Sequence, residues 1–352
     1  MTTVTVKASR TYDVQIGKGL LARAGECVAT LLPPPRTVMV VSDDTVFSLY
    51  GDALTQSLCA AGYTVERFVF PHGEASKNAS TLLGLWDALA ASGVTRTDCL
   101  VALGGGVVGD MTGFAAATYL RGVPFIQFPT SLLAMVDSSV GGKTGIDLPA
   151  GKNLVGAFHQ PVGVFCDTDA LKTLPAEIFA DGCAEVIKYG YISDPTLLSM
   201  LERPFADAPE AVIARCIADK RDLVQADERD TGARQLLNLG HTAGHAVEAC
   251  SDFSISHGSA VAIGMVLMTR AAVARGLCAR DVLPHMLSML NAYRLPTKCP
   301  FTAPELARVA KGDKKRKGSN LTLVLPRTLG ESVLTTIKAE EIEDFLASGL
   351  EV

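Results

Sequence analysis

Aromatic residues are scarce in this chain of 352 residues, at 6% with a single tryptophan, and positive charge is not in excess: 32 Lys and Arg face 37 Asp and Glu, a formal net charge of -5. The first shortage leaves little with which to stack single-stranded bases, and the second supplies no general field for polyanions or acidic lipid, so neither nucleic acid nor a membrane is an expected partner. No C-x-x-C pair occurs among nine scattered cysteines, which argues against both a disulfide framework and a thiolate zinc site. Met1 to Val14 mixes Thr, Lys, Arg and Asp with valines and resembles neither a signal peptide nor a membrane span. The expectation is a cytoplasmic protein. What is present, 48% hydrophobic and 20% charged residues, suits a folded chain. At ~150 residues per domain the length suits two domains.

Apolar β-branched runs at Thr37 to Ser42 (TVMVVS), Tyr63 to Phe70 (YTVERFVF) and Cys99 to Leu103 (CLVAL) alternate with stretches at helical spacing, Asp44 to Ala61 and Lys77 to Ala91. Such alternation predicts parallel strands joined by crossover helices. After Asp167 strand-like runs nearly vanish and Ala, Leu, Ile and Val at helical spacing dominate, apart from the short run Leu321 to Leu325. The expected fold is a Rossmann-like α/β domain over residues 1–167 followed by a helical domain over 168–352.

Gly104, Gly106 and Gly109 satisfy G-x-G-x-x-G between the strand CLVAL and a helical stretch, the context in which backbone can approach a pyrophosphate beside a helix N-terminus. The acidic residue that a standard fingerprint places about 20 residues on is missing, since Arg121 to Ser131 contains no Asp or Glu. Asp43, ending the strand TVMVVS, can supply it, and Glu74 and Lys77 follow the next strand at the equivalent edge. Between Phe128 and Phe158, Asp137, Lys143, Lys152 and Asn153 lie among glycines and apolar residues. Lysines in such surroundings need a counter-charge, so together with Arg121 they point to an anionic ligand.

Three of the six histidines fall between positions 241 and 257. His241 and His245 are four apart on one helix face and suggest a divalent metal of the zinc type, whose ligand set Glu185 and His257 can complete. Spacing favours His241 and His245 as the pair and leaves His257 in place of His245 open. The plainer alternative to a functional reading is an ordinary helical ion pair for Glu185 with Lys188, and a solvated helix face for Lys220 and Arg234.

Taken as a set, GGGVVGD, YLRGVPFIQFPTSLLAMVDSSVGGKTGID, GKNLVGAFHQP, DGCAEVIKYG, LNLGHTAGHAVE and SHGSAVAIGM resemble the 3-dehydroquinate synthase family, in order from about Asp43 to Lys315. The resemblance implies a cyclase that depends on NAD and on zinc or cobalt and converts 3-deoxy-D-arabino-heptulosonate 7-phosphate, a phosphorylated sugar acid, to 3-dehydroquinate and phosphate. It implies Glu185, His241 and His257 as metal ligands. Asp43, Glu74, Lys77, Gly104, Gly105, Gly106, Asp110, Thr130 and Ser131 would contact NAD, with Thr173 and Leu174 from the domain junction. Lys143, Lys152, Asn153, Lys188, Asn238 and His245 take catalytic positions in this resemblance, while Arg121, Asp137, Lys220, Arg234 and Lys314 or Lys315 bind substrate. It also implies a homodimer. The mechanism so implied removes hydride from C5, takes the proton that the resulting ketone acidifies at C6 as phosphate leaves by β-elimination, returns the hydride to C5, and after ring opening closes the carbocycle by an internal aldol step. The chain departs from the family pattern at Thr45 for Asn, at Asp230 for Glu, and at Glu177-Ile178 for an Arg-Glu pair. Sedoheptulose and amino-sugar cyclases and metal-dependent polyol dehydrogenases are the neighbouring readings. Asn238 and His245 argue against the first, and the Asp137, Lys143, Lys152, Asn153 cluster against the last.

Overall fold

The computed structural model describes residues 1–311 and 320–350. By packing, the chain divides into two units, Met1–Pro175 with Pro209–Arg229, and Ala176–Ala208 with Asp230–Val352. The division is therefore not one cut after residue 167. The first unit runs on to Pro175 and takes back the helix Pro209–Ala226, which packs on its first strand and on residues 134–138.

The first unit is built on a sheet of seven strands: β1 (Thr2–Lys7), β2 (Thr11–Gly17), β3 (Thr37–Asp43), β4 (Thr64–Phe70), β5 (Cys99–Gly104), β6 (Phe125–Pro129) and, after a separate hairpin of β7 (Lys143–Leu148) and β8 (Gly151–Phe158), β9 (Gly163–Asp167). Their order is β1-β2-β9-β6-β5-β3-β4, all parallel except β1. Strands β5, β6 and β9 are buried at every position, as central strands covered on both faces must be, which explains why they are apolar apart from Gln127 and the terminal Asp167. On one face Leu82, Leu85 and Leu89 of the helix Ala79–Ala91 and Met111 and Phe114 of the helix Gly106–Thr118 pack against Met39, Val41, Leu100 and Phe125.

Among its described residues the second unit is helical with one antiparallel ribbon, β10 (Asn320–Thr328) and β11 (Glu331–Lys338), whose first strand includes the run Leu321 to Leu325. The helix His257–Ala274 is long and apolar enough to cross a membrane, but most of it is buried inside this unit, as a core helix is. It packs closely on the helix His241–Cys250. A Cβ on Gly264 would fall 2.1 Å from the Gly240 carbonyl oxygen, so only glycine permits this approach. At the other contact, a Cβ on Gly258 would lie 2.3 Å from the Asp181 Cα, which seats the start of the same helix against the helix Ala176–Ile192. These two contacts place His241, His257 and Glu185 side by side.

Candidate active site

The sheet order reverses between β3 and β5, the switch point where a ligand crevice opens at the carboxyl edge of a parallel sheet. Ser42 pairs with Leu103 and Gly104 with Pro129, so Asp43, Gly104 to Gly106, and Thr130 and Ser131 line one rim. Glu74 and Lys77 follow β4 there, and Thr173 and Leu174 follow β9. Gly104 is confined by its own turn: a Cβ would come 2.5 Å from Val108 Cγ2. The helix Gly106–Thr118 begins with no side-chain cap, leaving its first N–H groups to an anion. One Asp43 carboxylate oxygen accepts the Val46 N–H at 2.8 Å, and burial raises its pKa against that bond. This donor set and this tight glycine turn fit a dinucleotide.

Lys77 is buried at the rim and saturated. Its Nζ donates to Asp110 Oδ2 at 2.7 Å and to Asn153 Oδ1 at 2.7 Å, and stands 3.9 Å from Glu74. Burial works against its charge, but Asp110 and Glu74 hold the ammonium above its ordinary range. For Asp110 the balance is reversed: burial raises the carboxyl despite Lys77 and Lys220. Lys220 is buried too, donating to the Asp137 carbonyl at 2.6 Å and pairing with its carboxylate.

In the second unit Glu185, His241 and His257 each offer a donor atom, all within 4.8 Å of one another. His257 Nε2 is 3.2 Å and His241 Nε2 3.5 Å from Glu185 Oε1, while the other Glu185 oxygen is taken by Lys188. The outer nitrogens are held as well, His241 Nδ1 at 3.1 Å from the Leu239 carbonyl and His257 Nδ1 at 3.3 Å from Glu248. With Nδ1 engaged, both Nε2 atoms face a carboxylate oxygen, and with neutral imidazoles that set suits zinc or cobalt. Burial disfavours a charged His257, yet hydrogen bonds to Glu185 and Glu248 outweigh it and lift its pKa to about 10. This pocket favours positive charge.

A family model for the N-terminal part of 3-dehydroquinate synthase matches residues 67–181, and one for the C-terminal part matches residues 182–316. The 3-dehydroquinate synthase of Caulobacter vibrioides is 46% identical over 338 residues, 92% of this chain and 91% of its own length. The chain belongs to the 3-dehydroquinate synthase family. Among solved structures, the 2-epi-5-epi-valiolone synthase of Streptomyces hygroscopicus, with NAD+ and Zn2+ bound, superposes with a TM-score of 0.87 at 30% identity over 98% of each chain. A 2-deoxy-scyllo-inosose synthase in complex with carbaglucose-6-phosphate, NAD+ and Co2+ gives 0.86 at 25% identity, covering 99% of this chain and 100% of the other.

Measured against the family pattern, most expected residues gather in two groups, one in each unit. Lys188 and Arg234 are both 1% exposed, and Lys220 is 5% exposed, so burial replaces the ordinary ion-pair reading of the first and the solvated-helix reading of the other two. Asn238 is half-buried, donating to the Gln235 carbonyl at 3.0 Å, and His245 is exposed beside His241, their rings 5.4 Å apart. The glycine-rich segment expected to bury its lysines forms the β7–β8 hairpin instead, on which Lys143 is exposed and Lys152 partly so. Arg121 is not brought to the rim. It follows the far end of the helix Gly106–Thr118 and precedes β6, at the amino edge of the sheet, where the neighbouring Leu120 carbonyl accepts from Arg96 just ahead of β5. A helix of that length spans about 20 Å, which separates this edge from the glycine turn. Lys314 and Lys315 lie outside the described residues. Glu248 and Asp147 carry no role in the sequence pattern. The first had a signal, seven residues after His241 on one helix face, and the second had none, since it acts by accepting the Asn153 N–H at 2.7 Å.

Proposed function

We propose that the chain is an NAD- and metal-dependent carbon–oxygen lyase acting on a phosphate ester, converting 3-deoxy-D-arabino-heptulosonate 7-phosphate to 3-dehydroquinate and inorganic phosphate. The observation that carries this reading is the donor set of Glu185, His241 and His257 with Lys188 on Glu185, in a chain of this family. When bound, the metal supplies Lewis acidity to a carbinol oxygen and NAD a reversible hydride acceptor.

The chain's own residues do the rest. Gly104, Gly105 and Gly106 leave backbone N–H groups to the pyrophosphate. Asp43 takes the ribose, and Glu74, Lys77, Asp110, Thr130, Ser131, Thr173 and Leu174 shape the crevice around the nucleotide. Glu185, His241 and His257 hold the metal. Lys143, Lys152, Lys220 and Arg234 offer positive charge to the carboxylate and phosphate of the substrate, with Asp137 orienting Lys220 and Asn153 held by Lys77. Asn238 and His245 move protons at the substrate hydroxyls, a task that suits an accessible imidazole. Nine free cysteines are consistent with a reducing cytoplasm. A homodimer is supported by the apolar side chains Leu148, Leu154, Val155 and Phe158 that the hairpin exposes.

Purified protein given NAD, zinc and the heptulosonate phosphate is expected to release phosphate and form dehydroquinate with no net NADH. Steady accumulation of NADH would overturn the reading in favour of a dehydrogenase.

A further inference from the structure

We propose that Glu248 is a positioning residue for the metal site, a buried carboxylate that fixes the tautomer and angle of the His257 imidazole and offsets the charge of Lys188. The inference rests on the metal-holding role proposed above for Glu185, His241 and His257, and adds a residue to it.

Glu248 is 2% exposed on the helix His241–Cys250, and its carboxylate lies 3.3 Å from His257 Nδ1. Its own backbone is tied down, since the carbonyl accepts from Ser251 Oγ at 2.9 Å and from the Phe253 N–H at 2.8 Å. A neutral imidazole carries one N–H. Facing a carboxylate, that proton belongs on Nδ1, which leaves the Nε2 lone pair pointing at the Glu185 side. In the other tautomer two lone-pair bearers would face each other at Glu248, and an N–H would occupy the position needed for coordination. His241 has the same device in neutral form, its Nδ1 on the Leu239 carbonyl.

Charge makes the difference between these two supports matter. Lys188 already neutralises Glu185, so a divalent cation bound there would leave two positive charges without a match, and in a poorly solvated pocket that is costly. Glu248 halves the excess. A competing geometry exists, because His245, Glu248 and His257 also form a compact donor group. In that set Glu248 would itself be a ligand and His257 would coordinate through Nδ1. The two arrangements use opposite nitrogens of one ring.

The test is a long-range proton–nitrogen correlation spectrum of the zinc-loaded protein carrying 15N-histidine, with zinc affinity measured by chelator competition on the parent and on Glu248→Gln. Expected are a His257 protonated at Nδ1 and metallated at Nε2, and an affinity lowered about 10- to 100-fold in Glu248→Gln, with circular dichroism unchanged. Metallation of His257 at Nδ1, or unchanged affinity in a folded Glu248→Gln, overturns the proposal, and the spectrum of the parent decides even if that variant does not fold. Failure of the underlying metal role looks different: Glu185→Gln and His241→Ala would then keep zinc at parental affinity.

Discussion

Glu185 and Lys188 form an ion pair one helical turn apart on the helix Ala176–Ile192, with both side chains 1% exposed. An exposed pair at this spacing contributes a few tenths of a kcal/mol at most, roughly 0.3–0.5. A buried one behaves otherwise, since removing one partner strands a charge at a cost of about 3–5 kcal/mol. Lys188→Met is therefore expected to lower the stability of the metal-free protein by that amount in urea denaturation, and added zinc should restore much of it by replacing the missing positive charge. A variant as stable as the parent without metal would show that the pair does not hold the site together.

The donor set separates two histidines that spacing alone does not. His257→Ala should lose bound zinc in equilibrium dialysis, whereas His245→Ala, which removes the exposed imidazole outside the Glu185 group, should retain it and lose turnover. Equal loss of zinc in both would return the pair of His241 and His245 to the metal.

That separation marks where sequence legibility ended. The i and i+4 spacing of His241 and His245 correctly puts their side chains on one face, but Glu185 comes from another helix, and the glycines at 258 and 264 decide which imidazole meets it. The strands β3 and β5 were legible because burial on both faces demands apolar runs, β4, a largely exposed edge strand, through its β-branched and aromatic content, and the turn at Gly104 because its position between strand and helix is local. Burial of Lys220 was not legible, since its partner Asp137 is 83 residues away and helical periodicity carries no record of it. The return of Pro209–Ala226 to the first unit is hidden for the same reason. The exposure of Lys143 was not legible, because a glycine-rich apolar run can be buried or can form an exposed hairpin.

The glycine turn gives a test of the nucleotide crevice. A methyl group on Gly104 meets Val108 at 2.5 Å, and overpacking of this kind costs about 1–3 kcal/mol. Gly104→Ala is expected to weaken NAD binding by roughly tenfold or more in calorimetry, each ~1.4 kcal/mol being tenfold, with zinc binding in the other unit unchanged. NAD affinity equal to that of the parent would place the nucleotide elsewhere.

Asp98 provides a pH test of the sheet that carries the crevice. It is buried at the entry to β5, where it accepts the Thr37 N–H at 2.7 Å, the Thr95 N–H at 2.7 Å and the Thr95 hydroxyl at 2.6 Å. Burial alone would raise its pKa, but these bonds dominate and hold it below the ordinary 3.8. A depressed carboxylate stabilises the fold above its unfolded value, and that contribution is lost as pH falls through the lower folded value. Asp98→Asn should thus cost about 1–3 kcal/mol at neutral pH and progressively less below pH ~3.8, measured by denaturant titration across that range. A difference independent of pH would contradict the assignment.

The central claim is that one carbinol carbon is oxidised and reduced again without release of the reducing equivalent. The most direct measurement uses heptulosonate phosphate deuterated at that carbon, with product followed by mass spectrometry over many turnovers in a large excess of NAD. Dehydroquinate that keeps the deuterium, with none in the NAD pool, is the expected result. Deuterium in released NADH, or its loss to water, would contradict it.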